Sequence, residues 1–374
     1  MHWSAPTLAA LLLLALPLSA NAHDCATDGA VKMLSGSHVL DLRSAPPVLD
    51  AEPVLHCSAL TLAFGDGDDA LMVLGTSGST GSLTTLAVAL GAGADTVHLG
   101  AGTLPALTLA GGAGSGDEVD ASARPTPVVL DESTGTIAGF ERLTGGDGDD
   151  VLVGDDGSNV LDGGAGDDLL VGRLGADDLR GGVGTDTVSF AGGPAVSATL
   201  LARFADGQGH DILAGVENLI GSGHNDRLAG DGRDNRIAGG GGNDMLDGRL
   251  GDDLLDGGSG RDTAVFGEPR AVHANIVSRR ASGQGSDTLA RIENLTGSPR
   301  DDVLTGDRRA NRLRGGGGAD RLAGGAGADV LDGGSGNDRI QARDGTRDTV
   351  DGGGGRDTVT ADRSDRVRHV EHRR

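Results

Sequence analysis

From Gly145 the chain repeats a nine-residue unit, glycine-glycine-x-glycine-x-aspartate-x-aliphatic-x, in five gapless copies that end at Ser189. The same block returns from Gly221 and from Gly297, so a longer super-repeat, block plus spacer, lies over the short one. Self-similarity at a fixed short period is the mark of a solenoid, in which each unit buries its apolar face only against its neighbours. The sixth positions of the three blocks are Asp150, Asn159, Asp168, Asp177 and Asp186; then Asp226, Asn235, Asp244, Asp253 and Asp262; then Asp302, Asn311, Asp320, Asp329 and Asp338. Asparagine falls in the second unit each time, which points to duplication of whole blocks with that asparagine already in place. The eighth positions are aliphatic throughout, from Leu152 to Ile340.

Each part of the unit has a physical task. One aliphatic residue between two others is a three-residue strand with a single inward side chain, because side chains alternate across a strand. The six residues before it form a loop in which glycines let neighbouring backbones approach closely, while the aspartate adds an anionic oxygen. Carbonyl and carboxylate oxygens without nitrogen or sulphur suit a hard cation, Ca2+.

Two units close one turn, stacking the strands as two parallel sheets and the loops as two columns about 4.8 Å apart along the stack. Carboxylates at that spacing repel unless a cation lies between them. Five loops offer three same-side neighbour pairs, so about three ions per block and roughly ten in all are expected. Two inward aliphatics per turn bury little apolar area against an ordering cost of about 1–2 kcal/mol per residue, and 68 of the 374 residues are glycine. Metal coordination therefore has to supply folding energy.

These fifteen in-register units resemble the RTX, or haemolysin-type, calcium-binding repeats. The resemblance covers residues 145–360 and implies an all-β, right-handed parallel β-roll. It further implies that each ion is held by sixth-position side chains and loop carbonyls. After Gln341 a ten-residue unit supplies Asp348, and Gly352–Thr360 is another nonapeptide with Asp357 at position six. Relatives often end on paired cysteines where this chain has Gly352 and Val370, so its terminal cap is held otherwise.

The spacers Phe190–Ser222 and Phe266–Ser298 align without a gap and share Gly207/Gly283, Gln208/Gln284, Gly209/Gly285 and Asp211/Asp287. Paired residues at fixed offsets mark them as solenoid turns without ions. The organisation expected is thus three units of block plus spacer or cap, 145–220, 221–296 and 297–374. Residues 58–144 echo the loop chemistry at Gly65–Asp69 and Leu90–Asp95 without regular spacing, and are expected to be a degenerate continuation of the solenoid or a small β region of their own.

Residues 1–22 read as a signal peptide: Leu8 to Leu18 is apolar but too short to span a bilayer, and Ala20-Asn21-Ala22 supplies a small-x-small cleavage pattern. An exported chain with two cysteines, Cys25 and Cys57, is expected to pair them, closing residues 23–57 as a cap over the first exposed strand. No transmembrane segment is expected in the mature chain, and the expected location is extracellular or at the cell surface.

Composition excludes several classes of function. The net charge of −24 opposes nucleic-acid binding. Tyrosine is absent, the single tryptophan lies in the leader, and five phenylalanines offer little for an aromatic interface. No Gly-x-Ser-x-Gly elbow, His-Glu-x-x-His helix or phosphate-binding loop occurs. The function expected is a secreted calcium-binding protein, not an enzyme, with a structural or adhesive role and cell-surface or matrix polysaccharide as a partner class. The alternative is an exported enzyme with an unrecognised site in residues 23–144.

Overall fold

The computed structural model describes residues 60–74 and 85–374 with their side chains, and upstream of them the backbone of Ala30–Leu34, Ser37–Asp41, Val48–Leu49, Glu52–Pro53 and Ala59. Residues 1–22, read above as a signal peptide, and both cysteines expected to pair, Cys25 and Cys57, lie outside the described residues. The chain is a parallel β-roll. In each nonapeptide the residues around the eighth position form a strand, as in Val151–Val153 and Leu169–Val171, and the central Leu152 and Leu170 are fully buried. Successive strands fall alternately on two sheets. The registers Leu152↔Leu170 and Leu161↔Leu179 set each turn at two nonapeptides, so the aliphatics stack in two files through the centre.

The turns continue upstream of the regular repeats. Leu71, Val97, Val119 and Leu143 pair in parallel register one after another, and Leu143 pairs with Leu161 of the first block. These coils are longer than two nonapeptides, and the additional length lies in five-residue strands such as Thr85–Ala89 and Ala106–Ala110 as well as in the connections between strands. A further parallel sheet, Ala30–Leu34, Ala59–Phe64, Thr85–Ala89, Ala106–Ala110 and Ile137–Ala138, lines the amino-terminal part. Among the described residues the only helical element is the short 3-10 turn Glu132–Thr134, and no helix is long and apolar enough to cross a membrane.

The spacers depart from simple solenoid turns. In the first, Ser197–Thr199, Phe204–Asp206 and His210–Ala214 form an antiparallel meander. The chain first passes ahead to pair Ala198 with Leu228 of the second block, then doubles back to pair Leu213 with Leu179 of the first. The second spacer does the same with His273–Asn275, Arg280–Ser282 and Ser286–Ala290, but in the opposite sheet. Five units per block is an odd number, so the second block starts on the sheet opposite to the first, and its spacer follows it across. Only Asn218–Ile220 and Asn294–Thr296 are ordinary turns of the roll. The short-range cause of the meander is visible at Arg203 and Gly207, whose φ values of 60° and 138° make the reversals.

Candidate metal centre

The sixth-position side chains point inward at the loop columns and are nearly all inaccessible to solvent. They form a ladder. The backbone N–H of Asp150 donates to Asp168 Oδ1 on the next coil and that of Asp168 to Asp186 Oδ1, at 2.8 and 2.9 Å. The same bond links Asn159 to Asp177, Asp226 to Asp244 to Asp262, Asn235 to Asp253, Asp302 to Asp320 to Asp338 to Asp357, and Asn311 to Asp329 to Asp348. One carboxylate oxygen of each aspartate is thereby satisfied by the protein.

The other oxygen is not. The Oδ2 atoms of Asp168, Asp177, Asp186, Asp244, Asp253, Asp262, Asp320, Asp329, Asp338, Asp348 and Asp357 are buried without a hydrogen-bond partner. A buried, unpaired carboxylate oxygen is costly, so it either takes a proton or meets a cation. Burial, reinforced by neighbouring carboxylates, pushes Asp177, Asp253 and Asp320 up to about 7 and Asp186, Asp244, Asp329 and Asp348 up to about 6. The direction is the same at Asp168, Asp262 and Asp338.

Main-chain oxygens complete the arrangement. A Cβ added to Gly163 would lie 2.2 Å from Asp168 Oδ2 and 2.6 Å from Gly181 O of the following coil, so a carboxylate and a carbonyl converge on space that any side chain would fill. Gly315 stands in the same relation to Asp320 Oδ2 and Gly333 O, at 2.2 and 2.5 Å. Among the described residues no three His, Cys, Asp or Glu side chains converge on one point. Each site is instead one carboxylate oxygen among carbonyls. That donor set fits Ca2+, which accepts mixed carboxylate and carbonyl oxygens in flexible geometry.

Six of the seventeen sixth-position residues differ from the rest. Asp150, Asp226 and Asp302, which open their columns, turn Oδ2 back onto the N–H of Gly146, Ser222 and Ser298. Asn159, Asn235 and Asn311 use Oδ1 to accept from the N–H of Asp155, Asp231 and Asp307. Their Nδ2 groups donate to Phe140 O, Glu217 O and Glu293 O of the preceding coil. A carboxylate could not make that last bond, which is the physical reason for asparagine in the second unit. The orphaned oxygen is absent at all six.

The glutamates beside these junctions, and others missed in the sequence, have a role of their own. Glu217, Glu293 and Glu371 each close a column by accepting the N–H of Asp186, Asp262 and Asp357 on Oε2. Glu371 thus helps to hold the carboxy-terminal cap, together with Arg343, which donates to Arg374 O. Asp211 and Asp287 in the spacers extend columns by accepting from Asp177 and Asp253. Their signal was legible: both precede an inward leucine by two residues and follow glycine by two, as the sixth position does in the consensus unit.

A family model of four RTX calcium-binding nonapeptide repeats matches residues 137–170, 153–188, 229–264, 296–331, 305–340 and 324–359. None of the curated proteins compared matches the chain. The family match covers the eleven orphaned oxygens of the repeats, from Asp168 to Asp357. Residues 137–188, 229–264 and 296–359 thus carry RTX calcium-binding nonapeptide repeats in several copies.

Proposed function

We propose that this is an exported, non-catalytic protein whose β-roll folds as it binds calcium outside the cell, where it serves as a structural or adhesive element. The observation that carries the reading is the set of eleven buried Oδ2 atoms without partners, three in each of the first two blocks and five in the third. We take one candidate site per orphaned oxygen, eleven in all, beside the roughly ten ions expected from loop pairing. Without a cation these carboxylates bury charge in a core of two aliphatics per turn, and such a core supplies too little apolar area to offset it. Sites built from one carboxylate and carbonyls belong to the weak extracellular range, about 0.1–1 mM. A leader-like segment ahead of the roll supports export, and millimolar calcium outside cells matches that affinity. An extended, regular, charged surface suits polysaccharide contact.

The test is circular dichroism and calcium titration of the mature chain. A gain of β signal with a midpoint in the high-micromolar to millimolar range is expected. A β spectrum that chelator leaves unchanged, with no calcium bound, overturns the reading.

A further inference from the structure

We propose that the coils upstream of the matched repeats carry a calcium site of their own, centred on Asp95, in a stretch that the family match does not reach. This rests on the calcium reading of the repeats and extends it to residues 90–98, which keep glycine, glycine, aspartate and valine at positions two, four, six and eight but stand outside the nine-residue register and the family match, which begins at residue 137.

Three observations place the site. Asp95 is fully buried, and its Oδ2 has no hydrogen-bond partner. It stands in the same ladder as the repeat aspartates: its Oδ1 accepts the Asp69 N–H at 2.7 Å, and its own N–H donates to Asp117 Oδ1 at 2.8 Å. The loop around it has the backbone of a repeat loop. Gly91 and Gly93, with φ of 102° and 154°, press so closely on the coil before them that an added Cβ would lie 2.2 Å from Gly65 O and 2.4 Å from Gly67 O. In the first block Gly164 and Gly166 meet Gly146 O and Gly148 O in the same way, at 2.4 and 2.5 Å. One coil further on, Gly111 lies between Asp117 Oδ2 and Gly139 O as Gly163 lies between Asp168 Oδ2 and Gly181 O.

The carbonyl column and the carboxylate ladder thus persist where the sequence period breaks. Coils here exceed two nonapeptides and differ from one another in length, as the registers Val97↔Val119 and Leu71↔Val97 show. Parallel register is kept at Val97 and Val119 although the coils differ in length, so the ladder survives insertions that break the nine-residue period. All donors are hard oxygens, which selects calcium over softer metals.

Asp95→Asn separates this site from the others. The amide retains the acceptor for the Asp69 N–H and removes the buried charge; the roll already holds a buried amide at the sixth position in Asn235, bonded there within its own loop and to Glu217 O. The variant is compared with Asp168→Asn and with Asp66→Asn, a charge control at the exposed rim of the neighbouring loop. Calcium stoichiometry is measured by equilibrium dialysis of the mature chain, and calcium-induced protection by hydrogen exchange in residues 85–120 and 145–360. Loss of one ion in Asp95→Asn, with loss of protection confined to residues 85–120 and no ion lost in Asp66→Asn, is expected. Full stoichiometry and protection in Asp95→Asn, while Asp168→Asn loses an ion, overturns the inference and leaves the repeat sites standing. No change in either variant overturns the calcium reading with it.

Discussion

Asn235→Asp asks what the second unit of each block is for. In the wild-type chain Asn235 is 3% exposed, accepts the Asp231 N–H at 2.9 Å and donates to Glu217 O at 2.8 Å. An aspartate there retains the acceptor but loses the donor, and it sets a charged oxygen against a carbonyl oxygen at hydrogen-bonding distance. The lost bond costs about 1 kcal/mol, and the unpaired buried carbonyl and carboxylate add about 1–3 kcal/mol. By this reckoning the second block is left about 2–4 kcal/mol less stable at pH 8. Shared over three bound ions, that raises the calcium midpoint for folding of residues 221–265 about three- to tenfold. Hydrogen exchange followed along a calcium titration reads the midpoint for this block alone. At about pH 5.5 the burial that raises neighbouring carboxylates also protonates the new one, whose O–H can then donate to Glu217 O, so the difference from wild type narrows. If the second unit were an ordinary ligand position, the added charge would strengthen calcium binding. A midpoint that falls, or does not move, at pH 8 therefore refutes the junction role assigned to Asn159, Asn235 and Asn311.

Acid has opposite effects with and without calcium. In chelator the folded pKa values of Asp177, Asp253 and Asp320 lie near 7 and those of Asp186, Asp244, Asp329 and Asp348 near 6, all raised chiefly by burial above the usual 3.8. Raised acid pKa values favour the folded chain below about pH 4 and lose that contribution as pH climbs through 6 to 7. Each shift is worth on the order of 3 kcal/mol at most, and because neighbouring carboxylates titrate together the contributions do not simply add. The ion-free chain should therefore compact between pH 8 and 4.5, and a hydrodynamic radius that stays constant or grows would contradict this. Asp168→Ala removes an orphaned oxygen and should weaken calcium-induced folding of residues 145–189, whereas Asp206→Ala, at an exposed pair with His210, should not; equal titration midpoints would show that the sixth position is not the ligand. Arg173 holds φ of 73° where Gly325 of the third block holds 102°, so Arg173→Gly should relieve about 1 kcal/mol of strain and lower the calcium midpoint slightly; a midpoint that rises would show that its ion pair with Asp156 outweighs the strain.

The roll itself was readable from the chain. A period of nine with one aliphatic per unit admits little except a two-unit turn, and the inward files at Leu152, Leu170 and Leu161, Leu179 follow from it directly. The aspartate columns were readable for the same reason. The division of the seventeen sixth-position residues was not, because it depends on how each loop is stacked: Asp150 and Asp168 lie in nearly the same local sequence, yet Asp150 Oδ2 accepts the N–H of Gly146 in its own loop and Asp168 Oδ2 has no partner. Glu217 and Glu293 read as shared spacer residues, and only stacking shows them closing columns.

What sequence alone determined is whatever repeats within a single turn: strand, loop, inward aliphatic and carboxylate, each set by chemistry within one nonapeptide. Tertiary structure decided what depends on contacts between turns. It ran the spacer strands as antiparallel meanders in alternate sheets, since an odd number of units carries each block to the opposite face. It aligned the irregular coils around Asp95 with the regular ones, because parallel pairing registers the strands whatever the length of chain between them. It also decided which carboxylates face a space for a cation, because that space is bounded by carbonyls from the adjacent coil, at least two nonapeptides away along the chain.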